Sequence, residues 1–172
     1  MPAPIHHFGI VGLGKMGGGI ALNAIGHGFA VSAFDTHPIS EEIQRAGVRP
    51  AADIEELVRQ LPAPRLILLY VPAGPPVDGV LTQLFELLEP GDIVADGGNS
   101  YWGDSIRRHA RAKERGISFI DVGTSGGPGG AREGACIMVG GEDEPVAAAE
   151  PLLRQLAVKD GYLHVGGPGA GH

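Results

Sequence analysis

The segment Gly12-Leu13-Gly14-Lys15-Met16-Gly17 constrains this chain most, because it matches the pattern G-x-G-x-x-G. The apolar run 8–11 before it has strand length, and the stretch 15–25 after it has helical period. In that context the first glycine permits a tight turn, the second lets a pyrophosphate approach the backbone and the third lets helix and strand pack closely. The alternative is a plain strand–helix turn. We expect a dinucleotide-binding turn with contact residues Gly12, Leu13, Gly14, Lys15, Met16 and Gly17.

Asp35 ends the next predicted strand, residues 30–34, roughly 20 residues beyond the glycines. An acidic side chain at that place accepts hydrogen bonds from the adenosine ribose hydroxyls and repels a 2′-phosphate. No arginine follows in Asp35-Thr36-His37-Pro38. The alternative is that Asp35 only begins an Asx turn before Pro38. We predict that the cofactor is NAD, in preference to NADP, with Asp35 and Thr36 at its adenosine end.

Strand-length runs and helical stretches alternate along the rest of the chain, which favours parallel β-α-β units with right-handed crossovers. Asp53 and Glu56 predict a capping box at the start of one helix. We expect an α/β fold of the Rossmann type, with a doubly wound, mostly parallel sheet and an extra C-terminal β-α-β extension. Residues 1–172 are expected to form a single dinucleotide-binding domain. Further strands are predicted at 66–71, 93–96, 117–122, 136–139 and 162–165, and further helices at 39–46, 54–61, 77–88, 104–115 and 145–156.

The composition excludes several classes of protein. A formal net charge of −7 provides no basic surface for nucleic acid and no attraction to anionic membranes. The longest apolar run, 66–73, is too short to span a bilayer, and residues 1–7 lack the features of a signal peptide. The single cysteine, Cys136, lies in an apolar run, which predicts a buried and inert thiol in a reducing compartment. We expect a cytoplasmic protein with no metal site.

Three further loops follow predicted strands, at the edge where open α/β sheets bind ligands. They are Val71-Pro72-Ala73-Gly74, Asp96-Gly97-Gly98-Asn99-Ser100 and Asp121-Val122-Gly123-Thr124-Ser125-Gly126-Gly127. Each one places small residues and backbone amides where a nicotinamide or an anionic substrate can approach. Taken singly, such a loop is more often just a turn, but three at one edge beside the glycine turn indicate a shared site.

Together these strings resemble the 6-phosphogluconate dehydrogenases of the β-hydroxyacid dehydrogenase superfamily, as do Asp104-Ser105-Ile106-Arg107-Arg108 and the final Gly169-Ala170-Gly171-His172. The string Asp96-Gly97-Gly98-Asn99-Ser100 differs from that of the hydroxyisobutyrate-type enzymes, which usually carry a Ser-Thr pair at this place. The aspartate at position 35 resembles the shorter enzymes of the family, which prefer NAD. The family reaction, part of the pentose phosphate pathway, transfers hydride from C3 of 6-phosphogluconate, releases CO₂ and protonates the product to ribulose 5-phosphate.

The resemblance implies a role for each motif. It assigns the nicotinamide side of the cofactor to Val71, Pro72 and Ala73, with Val77 nearby. It places Asn99 against both cofactor and substrate. It assigns the sugar-acid phosphate substrate to Ser125, Gly126 and Gly127.

The chain departs from the family at its end. In the family a helix with Phe-x-Lys-Met-x-x-Asn follows Gly-His and supplies the lysine base, with a glutamate acid soon after. This sequence stops at His172, which we expect to be mobile, so no catalytic residue is predicted within it, and Lys15, Lys113 and Lys159 do not substitute. The helical catalytic domain of the homodimeric family is expected to be missing, leaving a monomer or weak self-association. A stand-alone NAD(H)-binding sensor and a related β-hydroxyacid dehydrogenase are the alternatives.

Overall fold

The computed structural model describes residues 4–172, in which strands and helices alternate. The strands are β1 (His7–Val11), β2 (Ala30–Phe34), β3 (Arg49–Pro50), β4 (Leu66–Leu69), β5 (Ile93–Asp96), β6 (Ser118–Ser125), β7 (Ala135–Gly140) and β8 (Ala157–Gly166). The helices are α1 (Lys15–Gly26), α2 (Glu41–Ala46), α3 (Ile54–Gln60), α4 (Pro75–Leu87), α5 (Trp102–Lys113), α6 (Gly127–Glu133) and α7 (Asp143–Leu156).

These strands form one sheet in the order β3-β2-β1-β4-β5-β6-β7-β8. Every neighbouring pair is parallel except β6 and β7, which are antiparallel. The unit β7-α7-β8 is itself parallel and extends the sheet at one end. The predicted Rossmann-type sheet with a C-terminal β-α-β extension is therefore confirmed.

Helices pack on both faces of the sheet. One core joins α1, α2, α6 and α7 to the sheet, and a second joins α3, α4 and α5 to the opposite face. The residues of β4 are all buried and alternate between the cores, with Leu66 and Leu68 in the first and Ile67 and Leu69 in the second. This is the pattern of a central parallel strand covered on both faces. Across residues 4–172, no helix combines the length and the apolar character needed to cross a membrane.

Local capping explains where two helices begin. Asp53 Oδ1 accepts a hydrogen bond from the Glu56 N–H at 2.7 Å, and Glu56 Oε2 accepts one from the Ala52 N–H at 2.7 Å. The predicted capping box is confirmed, although the glutamate reaches the residue before the cap. The helix predicted from residue 39 begins instead at Glu41, because Ser40 is its N-cap.

The carboxyl half departs from the predicted elements. Strand β6 continues to Ser125, so part of the predicted loop 121–127 is strand, and helix α6 follows at once. The Gly-Pro-Gly-Gly start of α6 has poor helix propensity, which is why sequence reasoning missed this helix. Strand β8 begins at Ala157, five residues before the predicted start at residue 162 (162 − 157 = 5).

The prediction that Cys136 is buried is wrong, because its side chain is exposed. Alternate residues of β7 point to opposite faces, and Ala135, Ile137 and Val139 occupy the core face under α6 and α7. Cys136 points to the other face, and α3, α4 and α5 cover that face only at strands nearer the middle of the sheet. Residues Leu163 and Val165 of the neighbouring β8 are also exposed.

Candidate functional site

The carboxyl ends of β1, β4, β5 and β6 open onto one cleft with a volume of about 1190 Å³. Ordinary small-molecule pockets have roughly 300–1,000 Å³, so this cleft has room for an extended ligand. Most of the site residues predicted from the sequence line it: Gly12, Gly14, Lys15, Met16, Asp35, Thr36, Val71, Pro72, Ala73, Asn99, Ser125 and Gly127. The four predicted residues that do not line it are Leu13, Gly17, Val77 and Gly126.

The three glycines of the turn after β1 have different surroundings. Gly12 has φ +94°, and a Cβ there would overlap the Tyr70 carbonyl oxygen. A Cβ at Gly17 would overlap the Gly12 carbonyl oxygen, where α1 packs against the turn. At Gly14, by contrast, no heavy atom lies within 4 Å of the added Cβ. Gly14 is the N-cap of α1, whose first turn carries no acidic residue, so the open space meets the positive end of a helix dipole.

Asp35 binds two backbone N–H groups. Its Oδ2 accepts from Leu13 at 2.6 Å, and its Oδ1 accepts from His37 at 2.8 Å. The Asx turn is therefore present, and the same carboxylate also lines the cleft. Burial favours a higher pKa for Asp35, but the hydrogen bonds from Leu13 and His37 outweigh it and lower the pKa below its ordinary value. Asp35 is thus charged at neutral pH and retains lone pairs that can accept hydroxyl groups.

Tyr70 connects the ends of three strands and was not among the predicted site residues. Its phenol oxygen lies 3.2 Å from Thr124 Oγ1, and its ring occupies the space that a Cβ at Gly97 would need. Burial raises the pKa of Tyr70 to about 12, so the phenol stays protonated at neutral pH. Through its contacts with Thr124 and Gly97, Tyr70 supports the wall of the cleft.

The residues predicted to hold an anion lie at the junction of β6 and α6. Ser125 ends the strand, Gly126 follows with φ +134° and Gly127 begins the helix with φ +61°. Positive φ values at two consecutive positions explain why glycines stand there. Ser125 and Gly127 line the cleft, whereas Gly126 is exposed away from it.

The segment 169–172 is held against β6, so the expectation that His172 is mobile is wrong. Asp121 is fully buried; its Oδ1 accepts from the Gly169 N–H at 2.7 Å, and its Oδ2 accepts from Gly171 at 2.7 Å and His172 at 3.0 Å. His172 Nδ1 also lies 2.7 Å from Ser105 Oγ. Gly171 and His172 thereby line the cleft. An acidic residue inside the apolar run of β6 was the available signal for this arrangement.

The comparisons of the sequence with known proteins identify one family. Residues 7–166 match the family described as the NAD binding domain of 6-phosphogluconate dehydrogenase. A decarboxylating 6-phosphogluconate dehydrogenase of Chlamydia muridarum is 41% identical over 174 residues, which cover 95% of this chain and 36% of that enzyme. The NAD(+)-dependent, decarboxylating enzyme of Bacillus subtilis is 39% identical over 173 residues, which cover 95% of this chain and 37% of that enzyme.

A solved structure leads to the same family. The 6-phosphogluconate dehydrogenase of Plasmodium falciparum, studied in its apo form, with NADP+ and with 6-phosphogluconate, superimposes with a TM-score of 0.88 at 30% identity. The match covers 96% of this chain and 38% of that one. The chain thus spans little more than a third of the length of each of these three proteins. On its sequence and its structure, this chain belongs to the 6-phosphogluconate dehydrogenase family and carries the family's NAD-binding domain.

Proposed function

We propose that this chain binds NAD as the cofactor part of an enzyme that oxidatively decarboxylates 6-phosphogluconate to ribulose 5-phosphate. The observation that carries the proposal is the open approach to Gly14 at the start of α1, with the Asp35 carboxylate in the same cleft. Identities of about 40% to two decarboxylating 6-phosphogluconate dehydrogenases support the reaction class. We place the protein in the cytoplasm as a homodimer in its complete form.

The cleft residues divide between the parts of the cofactor. Gly14 receives the pyrophosphate, and Asp35 accepts hydrogen bonds from the adenosine ribose hydroxyls. The loop at Pro72 and the loop at Asn99 border the nicotinamide end. NAD, when bound, supplies the hydride acceptor. Val77 is fully buried in the core shared by α3, α4 and α5 and does not line the cleft.

The substrate end of the cleft is made by Ser125 and Gly127, with Asn99 shared between substrate and cofactor. Ser125 offers a hydroxyl, and Gly127 offers a backbone N–H at the start of α6, which together suit the carboxylate or the hydroxyls of a sugar acid. Gly126 contributes the turn conformation that presents its two neighbours.

The choice between NAD and NADP rests on Asp35. The Bacillus subtilis relative is named as NAD(+)-dependent, whereas the Plasmodium falciparum enzyme was studied with NADP+. In this chain a 2′-phosphate beside Asp35 would face a carboxylate whose pKa is lowered, with no arginine in residues 35–38 to compensate.

We predict that the purified chain binds NAD more tightly than NADP. Charge-assisted hydrogen bonds to Asp35 are worth roughly 1.5–3 kcal/mol, which corresponds to about ten- to a hundredfold in affinity. Titration calorimetry with both cofactors measures the preference, and Asp35→Arg is expected to reverse it. Asp53→Asn, at a carboxylate outside the cleft, is the control and should leave the preference unchanged. Equal or tighter binding of NADP by the unmodified chain would contradict the role of Asp35.

We further propose that these 172 residues bind NAD without turning over 6-phosphogluconate. The family reaction requires a base that takes the proton of the C3 hydroxyl. Among residues 4–172, two imidazoles line the cleft, His37 and His172. We assign His37 to the adenosine end, because its backbone N–H and its ring bind Asp35, which leaves His172 as the imidazole for the substrate end. A sensor without activity is distinguished by the gene sequence beyond codon 172: a following Lys-Met-x-x-Asn helix supports the enzyme, and a stop codon supports the sensor.

A further inference from the structure

Arg108 is a fully buried cation that the proposed reaction does not use. It is the largest side chain with essentially no exposure, and a buried guanidinium is costly unless all of its donors are paired. Nε donates to Asp78 Oδ1 at 3.1 Å, and Nη2 donates to Asp78 Oδ2 at 3.2 Å. This two-point pair fixes the plane of the guanidinium.

The remaining donors of Arg108 reach two loops that border the cleft. Nη2 also donates to the Gly74 carbonyl oxygen at 3.1 Å, in the loop between β4 and α4. Nη1 donates to Ser100 Oγ at 3.3 Å, in the loop after β5, and lies 3.5 Å from Asp96 Oδ2. The guanidinium of Arg108 on α5 therefore joins Gly74, which follows Ala73, to Ser100, which follows Asn99.

Asp96 also binds the loop after β5. It is fully buried, and its Oδ2 accepts from the Ser100 hydroxyl at 2.6 Å while its Oδ1 accepts from the Gly98 N–H at 3.0 Å. The loop 97–100 is thus held at both ends, by Asp96 and through Ser100 by Arg108. These bonds join the loop that contains Asn99 to the loop that contains Pro72.

The sheet order indicates which part of the cofactor these two loops meet. The glycine turn follows β1, and Asp35 follows β2 on one side of it. The loops at Gly74 and Ser100 follow β4 and β5 on the other side. A dinucleotide with its pyrophosphate at Gly14 and its adenosine at Asp35 must extend its nicotinamide toward these loops.

We propose that Arg108 is a positioning residue that holds the loops at Gly74 and Ser100 at the separation that receives the nicotinamide half of the cofactor. The inference rests on the proposed NAD-binding function and assigns that site's nicotinamide selectivity to a residue with no contact to the ligand. Lysine cannot replace this arginine, because one ammonium group cannot span Asp78, Gly74 and Ser100 together.

The test compares NAD with ADP-ribose, which has the adenosine, the pyrophosphate and both riboses but lacks the nicotinamide ring. Arg108→Lys keeps the charge between Asp78 and Asp96 and loses the bonds to the loops. We expect it to weaken NAD binding about two- to tenfold, the equivalent of one lost hydrogen bond, and to leave ADP-ribose binding unchanged. Arg107→Lys is the matched control, because Arg107 also binds Asp78 but is 46% exposed and makes no bond to either loop.

Ser100→Ala is a second variant that leaves the buried charges in place. It removes the hydroxyl that links Arg108 to Asp96, so it should produce the same selective loss even if Arg108→Lys does not fold. An equal loss for both ligands, or no loss in either variant, overturns the positioning role. If the unmodified chain binds neither compound, the proposed NAD site itself is refuted and the loop inference with it.

Discussion

At the scale of single residues, Asp78 shows how one carboxylate stabilises the fold around the cleft. It accepts hydrogen bonds from the buried Arg108 and from the partly exposed Arg107. The bonds from Arg108, followed by those from Arg107, lower the pKa of Asp78 from 3.8 to about 2 against the opposing effect of burial. A carboxyl whose pKa is lower in the folded than in the unfolded state stabilises the fold at pH values above both.

We predict that Asp78→Asn lowers the free energy of unfolding by about 2 kcal/mol at pH 7. The stabilisation is present above the unfolded pKa near 3.8 and is lost as the pH falls toward the folded pKa near 2. Urea unfolding at pH 7 and at progressively lower pH should therefore show the wild-type advantage shrinking below pH 3.8. Asp104 is a more exposed carboxylate that pairs with the same two arginines, so Asp104→Asn should lower the free energy of unfolding by at most about 0.5 kcal/mol. A difference between wild type and Asp78→Asn that does not change with pH would contradict the prediction.

At the scale of elements, strand β7 shows how position in the sheet decides what a side chain meets. Its core face packs under α6 and α7, while the opposite face lies beyond the reach of α3, α4 and α5. The apolar composition of β7 does not indicate which face is covered, because cysteine and methionine are compatible with either a buried or an exposed position. The exposed position of Cys136 follows from the order of strands and helices.

We predict that the thiol of Cys136 reacts with a water-soluble disulfide reagent in the folded protein as completely as in the unfolded protein. No unfolding step is needed, because the side chain already faces solvent. Cys136→Ser should abolish the reaction. Adding Val139→Cys in that background places a thiol on the fully buried face of the same strand, and it should react only on unfolding. Protection of Cys136 in the native state would show that this face is covered.

At the scale of the whole molecule, the cleft unites groups that are distant in sequence. Asp35, Asn99 and Ser125 line one cavity because parallel strands bring their carboxyl ends to one edge of the sheet. His172 lines the same cavity because Asp121 of β6 binds the segment 169–172. The residues that we propose for the cofactor and for the substrate therefore line the same cleft. The proposed reaction also requires a base within reach of the substrate hydroxyl.

We predict that residues 1–172, purified alone, form no NADH from NAD and 6-phosphogluconate above the background rate. General-base catalysis alone is worth about 10²–10⁴-fold. Ser105 holds the imidazole of His172 at Nδ1, which leaves Nε2 as the ring nitrogen that can accept a proton. NADH absorbance at high protein concentration is the measurement, and His172→Gln tests whether any residual rate depends on that imidazole. Activity that persists through repeated purification would place the base within these residues.

Short-range sequence patterns were sufficient to predict much of the fold and one end of the site. The G-x-G-x-x-G turn, Asp35 and the alternation of strands and helices depend on neighbouring residues, so they can be read from a single chain. The two loops at Pro72 and Asn99 were also predicted, because parallel strands always end at a common edge.

Only the tertiary structure decided which partners distant residues have. Asp121 holds the segment 169–172, and Arg108 joins loops 26 residues apart (100 − 74 = 26), through bonds that leave no local pattern. Helix α6 forms despite its glycines because it packs its buried Ala131 in the core with α1. The sequence by itself determined the strand–helix alternation and the glycine turn between β1 and α1. Contacts between elements far apart in the chain determined the exposed face at Cys136, the position of His172 and the bonds between the loops at Gly74 and Ser100. Burial and hydrogen bonding at those places depend on the whole sheet.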